Sequence, residues 1–106
     1  MGQYQARCEE LRHELESILG SENVYFEPAS SYQMTYPCIV YTREDAQIQY
    51  ADNKVHTHRW RYQITYISWN PYNDVVDAML DHFEAIEYGR HFVYSNLHHD
   101  VLYLYW

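Results

Sequence analysis

Two histidines, His56 and His58, stand two residues apart in the run VHTHRWRYQITYISW, residues 55–69. On an extended strand alternate side chains share a face, so both imidazoles of such a pair can converge on one ion. The later run LHHD, residues 97–100, offers a third nitrogen from His98 or His99 and a hard oxygen from Asp100. The spacing is unspecific, because the chain has no HExxH and no cysteine pair. His56 and His58 also fall in a polar, turn-proximal stretch, where four preorganised ligands are hard to assemble. Solvated or interfacial histidine is the better reading, and no metal or other cofactor is expected.

Other reactive groupings are weaker. Asp74, Asp77, Asp81 and Glu84 recur at helical spacing, a pattern that the solvated face of an amphipathic helix explains without general acid–base chemistry. Cys38 opens the apolar run CIVY and reads as a core thiol rather than a nucleophile. Three scattered glycines cannot form a phosphate-binding loop. The chain is not expected to be an enzyme.

These groups must be held by secondary structure whose pattern is plain in places. Tyr4, Cys8, Leu11, Leu15 and Ile18 recur every three or four residues and predict a helix that Gly20 ends. NVYFEPA reads as a short strand stopped by Pro28. A strand over 37–50, a turn over ADNK, residues 51–54, in which Asp52-Asn53 tolerate positive φ, and the return strand beginning at Val55 predict a hairpin longer than globular strands usually need. Its polar half, residues 43–58, should project as an arm, loosely ordered in the monomer. Asn70 as N-cap and Pro71 at the first helical position open a second helix with Val76, Met79, Leu80 and Phe83 buried; Gly89 closes the segment. RHFVY and VLYLYW are two last strands joined by SNLHHD. The order predicts an α+β fold: a four- to five-stranded, mainly antiparallel sheet with both helices on one face. Trp60, Tyr62, Ile64 and Tyr66 should meet that core, leaving Arg59 and Arg61 on the opposite face. The two arginines either pair with acids of the same chain or cross a subunit boundary.

Composition narrows the function classes. The 106 residues fit one domain, 1–106. Thirteen tyrosines exceed what so small a core can use and belong at half-buried faces and interfaces. Fifteen acids against seven bases give a net charge of −8, and the single lysine argues against nucleic-acid reading. Two cysteines without CxxC spacing suggest buried thiols in a reducing compartment. No membrane span or signal peptide is indicated.

Three stretches, YPCIVYTREDAQIQYADN, RYQITYISWNPYNDVVDAML and YSNLHHDVLYLYW, carry a resemblance over nearly the whole chain. In the order of these soft, structural motifs the protein resembles the tail-terminator (tail-completion, or minor capsid) proteins of long, non-contractile-tailed bacteriophages and of prophages in Gram-positive hosts. The resemblance implies a structural virion protein, made in the host cytoplasm and placed in the virion tail. It would form a homo-oligomer, a hexameric ring that caps the tail tube protein, ends tail polymerisation and presents the docking surface for the head–tail connector. DNA would pass through the ring without sequence-specific binding, which suits an acidic chain. Arg59 and Arg61, with Glu44, Asp45, Asp52 and Lys54 of the arm, are the candidate interface residues. A head–tail connector component would share these features, and a small His-based metal enzyme or metal-binding protein using His56, His58 and His98 is the alternative from another class.

Overall fold

The computed structural model describes residues 3–51, 54–71 and 74–106, and side chains within those ranges except at 3–4, 45–51 and 54–58. Helix α1 spans Gln3–Leu19, and its Cys8, Leu11 and Leu15 are buried. Gly20 ends it with φ +83°, its N–H donating to the Glu16 carbonyl at 2.8 Å, the left-handed exit that glycine adopts without a Cβ clash. Strand β1 (Val24–Phe26) runs parallel to β2 (Cys38–Ala51). Strand β3 (Lys54–Ser68) returns antiparallel to β2, and helix α2 (Val75–His82) leads into the hairpin of β4 (Ile86–Tyr94) and β5 (Leu97–Tyr105). The five strands form one mixed sheet in the order β1-β2-β3-β5-β4. This is the expected α+β architecture.

The core lies between that sheet and the helices. Ile39 and Tyr41 from β2, Tyr62, Ile64 and Tyr66 from β3, and Leu102 and Leu104 from β5 pack with Leu11, Leu15, Met79 and Phe83. Period-2 alternation on β3 puts its aromatic set on this face, as the sequence pattern predicts; Trp60 is only half-buried but packs against the cluster. The helices also meet directly where His82 Nε2 lies 2.9 Å from Glu14 Oε2. Trp106 donates its indole N–H to the Arg7 carbonyl at 2.8 Å, and the Arg7 guanidinium sits 4.3 Å over that ring.

Strand β5 pairs with β3 only from Arg61 to Ser68, so the outer part of β3 is paired with β2 alone. The two-stranded arm beyond Arg61 is about 20 Å long at the usual rise per strand residue. With it the molecule measures 51 × 27 × 23 Å. Ala51 and Lys54 are paired across the arm's end. The predicted turn residues Asp52 and Asn53, and hence any account of the arm tip's order, lie outside the described residues.

Four expectations about local structure are corrected. Helix α2 begins at Val75, not at Asn70-Pro71, and Asp74 stands at its N-cap without a side-chain bond. The Asn70 N–H instead bonds to Ser68 Oγ at 3.1 Å, a local turn that competes with helix. Leu80, expected inside, is 36% exposed; in a two-turn helix Met79 takes the centre of the buried stripe and Leu80 lies about 100° around from it. Gly89 does not close a segment but sits within β4, at a bulge between Tyr88 and Arg90. An added Cβ there would come 2.7 Å from Tyr103 Cε2 and 2.9 Å from the Val101 carbonyl, so glycine is required by close approach. SNLHHD is mostly strand: the turn is only Ser95-Asn96, both at positive φ (52° and 64°), the geometry of a two-residue hairpin.

Candidate assembly surface

With both helices on one side, the opposite face of the sheet is covered only locally. Cys38, Ile67 and Val101 are buried there, and near one end Tyr36 packs edge-on against Trp69 with centroids 5.7 Å apart. Burial pushes the Cys38 thiol up to about 12, so it is not a thiolate nucleophile at neutral pH. Around these residues the face is aromatic. Register puts Tyr103 beside Gln63 and Glu87, Tyr105 beside Arg61, and Phe92 beside His99. The Phe92 and His99 rings stack at 4.6 Å and 11°.

The surface continues to an open edge. Strand β4 is the last in the sheet, nine residues long, and exposes Tyr88, Phe92, Val93 and, at 71%, Tyr94. Such an edge presents unpaired backbone groups that invite another strand. Glu87, Arg90, His91 and the Gly89 bulge interrupt it, which limits unspecific pairing.

Tyr88 has a second contact. Its hydroxyl donates to Asp100 Oδ1 at 2.7 Å, and Asp100 is buried. The residue as a whole is 44% exposed, yet its phenol is pushed up to about 12 by burial first, then by the hydrogen bond to Asp100 and that carboxylate's charge.

The two arginines of β3 separate. Arg61 is part of an intrachain cluster: Nε lies 3.7 Å from Glu44 Oε1, Nη2 lies 3.8 Å from Glu87 Oε1, and the guanidinium sits 4.4 Å over the Tyr103 ring. Its side chain is 30% exposed. Of the two readings of Arg61 open at the level of sequence, pairing within the chain is the one present in the protomer. Arg59 is exposed at the root of the arm and lines an open recess with Arg7, Glu84, Tyr105 and Trp106. Glu44 belongs to the Arg61 cluster, and Asp74 and Asp77 are exposed at the start of α2. The side chains of Asp45, Asp52 and Lys54 lie outside the described residues, although Asp45 is in register with Arg61 and Lys54 with Ala51.

The histidines proposed as one ligand set are not brought together. His98 is opposite Ser68, ten positions along β3 from His58, or about 33 Å at the usual strand rise. The side chains of His56 and His58 lie outside the described residues. What sequence reasoning missed is the partner of His98: it is His91, whose Nε2 is 3.1 Å from His98 Nδ1. The signal was available in the two-residue turn at Ser95-Asn96, which sets the register that makes them neighbours.

Comparison with protein-family models and with curated proteins finds no match to this chain. Among the described residues no helix is long and apolar enough to cross a membrane.

Proposed function

We propose that the protein is a structural virion component, a tail terminator that acts by assembling into a ring and docking rather than by chemistry. The observation that carries the reading is the aromatic sheet face opposite the helices, continuous with the open β4 edge at Phe92 and Tyr94. A monomer gains nothing from leaving such a surface in water, whereas a ring needs one patch of each copy to meet a different patch of the next. The long arm supports the same reading, since it extends beyond the body as a two-stranded ribbon whose backbone a neighbour can meet. The resemblance in YPCIVYTREDAQIQYADN, RYQITYISWNPYNDVVDAML and YSNLHHDVLYLYW supplies the identity of the partners: a tail tube protein on one side and a head–tail connector on the other. A net charge of −8 suits a channel that lets DNA slide rather than gripping it.

The test is solution mass by sedimentation velocity, for the 12.9 kDa chain alone and mixed with its tail tube protein. Rings, or a ring-sized cap on assembled tubes, are expected. Arg59→Glu, at an exposed arm-root position, should lower assembly while leaving the monomer's unfolding unchanged. A chain that stays monomeric alone and with tubes, and leaves tube length unaltered, would sink the proposal.

A further inference from the structure

His91 and His98 lie on neighbouring antiparallel strands, and the assembly reading makes no use of them. In register His91 is opposite Asp100 and His98 is opposite Val93. By alternation both stand on the sheet face that carries Leu102. Nε2 of His91 is 3.1 Å from Nδ1 of His98, and the rings meet edge to edge, centroids 5.3 Å apart and planes 19° apart, so the two nitrogens face each other along the line between the rings. His91 is exposed and His98 half-buried.

That nitrogen spacing has a chemical meaning. With metal–imidazole bonds of about 2.0–2.1 Å, two nitrogens on one ion are about 2.9 Å apart at a right angle and about 3.4 Å apart at the tetrahedral angle. The observed 3.1 Å falls between these limits. In the neutral pair one proton is shared between the two facing nitrogens. Moving it to the other nitrogen of its ring frees both lone pairs, and a turn of the two rings that aims those lone pairs at one point beside the N···N line lets a cation replace the hydrogen bond with no proton lost.

We propose that His91 and His98 form a two-imidazole chelate for a divalent transition-metal ion, with copper(II) favoured over nickel(II) and zinc(II). The β4–β5 ladder holds the two residues in register on one face, so binding requires only a turn of the two side chains. Among the described residues no three metal-capable side chains converge, and the Asp100 carboxylate is engaged by Tyr88. Water therefore fills the remaining positions, and the site is an exchangeable one rather than a closed structural centre. The inference does not depend on ring formation.

The experiment is titration of untagged protein with copper(II), read by calorimetry and by electron paramagnetic resonance. One ion per chain with nitrogen coordination is expected. His91→Gln and His98→Gln should each weaken binding by at least the roughly tenfold that even an outer-shell partner can cost. The His56→Gln/His58→Gln variant should bind as the wild type does. Imidazole NMR of the unmutated protein gives a check independent of any variant's folding: the His91 and His98 signals should broaden first. Absence of binding overturns the proposal, and so does binding that survives loss of both His91 and His98. First broadening at His56 and His58 has the same consequence.

Discussion

Reversing the charge of Arg61 should damage the monomer itself. The guanidinium has two carboxylate neighbours, Glu44 at 3.7 Å and Glu87 at 3.8 Å, and the face of Tyr103 at 4.4 Å. Both ion pairs are partly solvated, so each contributes about 0–1 kcal/mol. The cation–π contact adds about 0.5–1 kcal/mol. Arg61→Gln should therefore cost about 1–2 kcal/mol. Arg61→Glu loses the same contacts and sets a third carboxylate beside two others, with repulsion of about 1 kcal/mol for each pair at water-like dielectric. The expected total is about 3–4 kcal/mol, and a domain of this size should lose about 4–8 °C in Tm per kcal/mol. Urea denaturation at low salt measures it, and the part due to repulsion should shrink at 0.5 M salt (a concentration chosen to cut the screening length to about 4–5 Å). Arg59→Glu, at an exposed position, should stay within about 0.5 kcal/mol. An Arg61→Glu protein as stable as the wild type would show that the cluster is not formed in solution. The contrast also decides which arginine reports on assembly: loss of rings in an Arg61 variant would mix folding with docking, whereas Arg59 separates them.

Two further outcomes follow from burial. Ile64→Ala, at a fully buried position, should cost about 2–5 kcal/mol, whereas Leu80→Ala should cost clearly less because Leu80 already meets water; equal losses in chemical denaturation would contradict the packing described. Stability should also fall with alkali. The folded-state values of Cys38 and Tyr88 are raised, from 9.0 and 10.0 respectively, each to about 12. Their neutral forms thus add stability that is complete below about pH 9 and is lost as pH rises through the folded values. Tm should decline between pH 9 and 12, less steeply in Cys38→Ala relative to its own neutral-pH value, and a flat profile would refute the assignment.

The elements best read from sequence are those where one strong pattern acts alone. The stripe Cys8, Leu11, Leu15 and the glycine after it define α1, because helical period and a left-handed exit agree. The alternation Tyr62, Ile64, Tyr66 likewise identifies the buried face of β3. Failures occur where one residue type serves two geometries. Asn70-Pro71 fits a helix start or a turn, and the Ser68 hydroxyl selects the turn. Gly89 fits a helix stop or a strand bulge, and the Tyr103 ring across the ladder decides. On the surface, Arg61 could be placed on the correct face but not assigned partners, since Glu87 comes from a strand with which β3 does not pair. The His91–His98 pair was missed for a different reason: it follows from the length of the Ser95-Asn96 turn, which the reading of SNLHHD as a connection left unused.

The strand order has a kinetic side. Apart from the short β1 beside β2, the sheet consists of two local hairpins, β2–β3 and β4–β5, joined along the β3–β5 seam. Each hairpin closes over a short turn, while the seam must bring together segments separated by α2 and all of β4. Closing the longer loop costs more chain entropy before any contact offsets it. The expected sequence of events is therefore hairpins first and seam last, with Ile64 opposite Leu102 at its middle. Because seam contacts form last, truncating Ile64 or Leu102 should act mainly by speeding unfolding, whereas truncating Val93 near the β4–β5 turn should act mainly by slowing refolding, and stopped-flow folding and unfolding of the three variants would show the order. Until the seam closes, Tyr62 and Leu104 stand on separate hairpins, and the chain carries extra open strand edges beyond those of the finished sheet. That interval is when a freshly made chain is most exposed to pairing with the wrong neighbour.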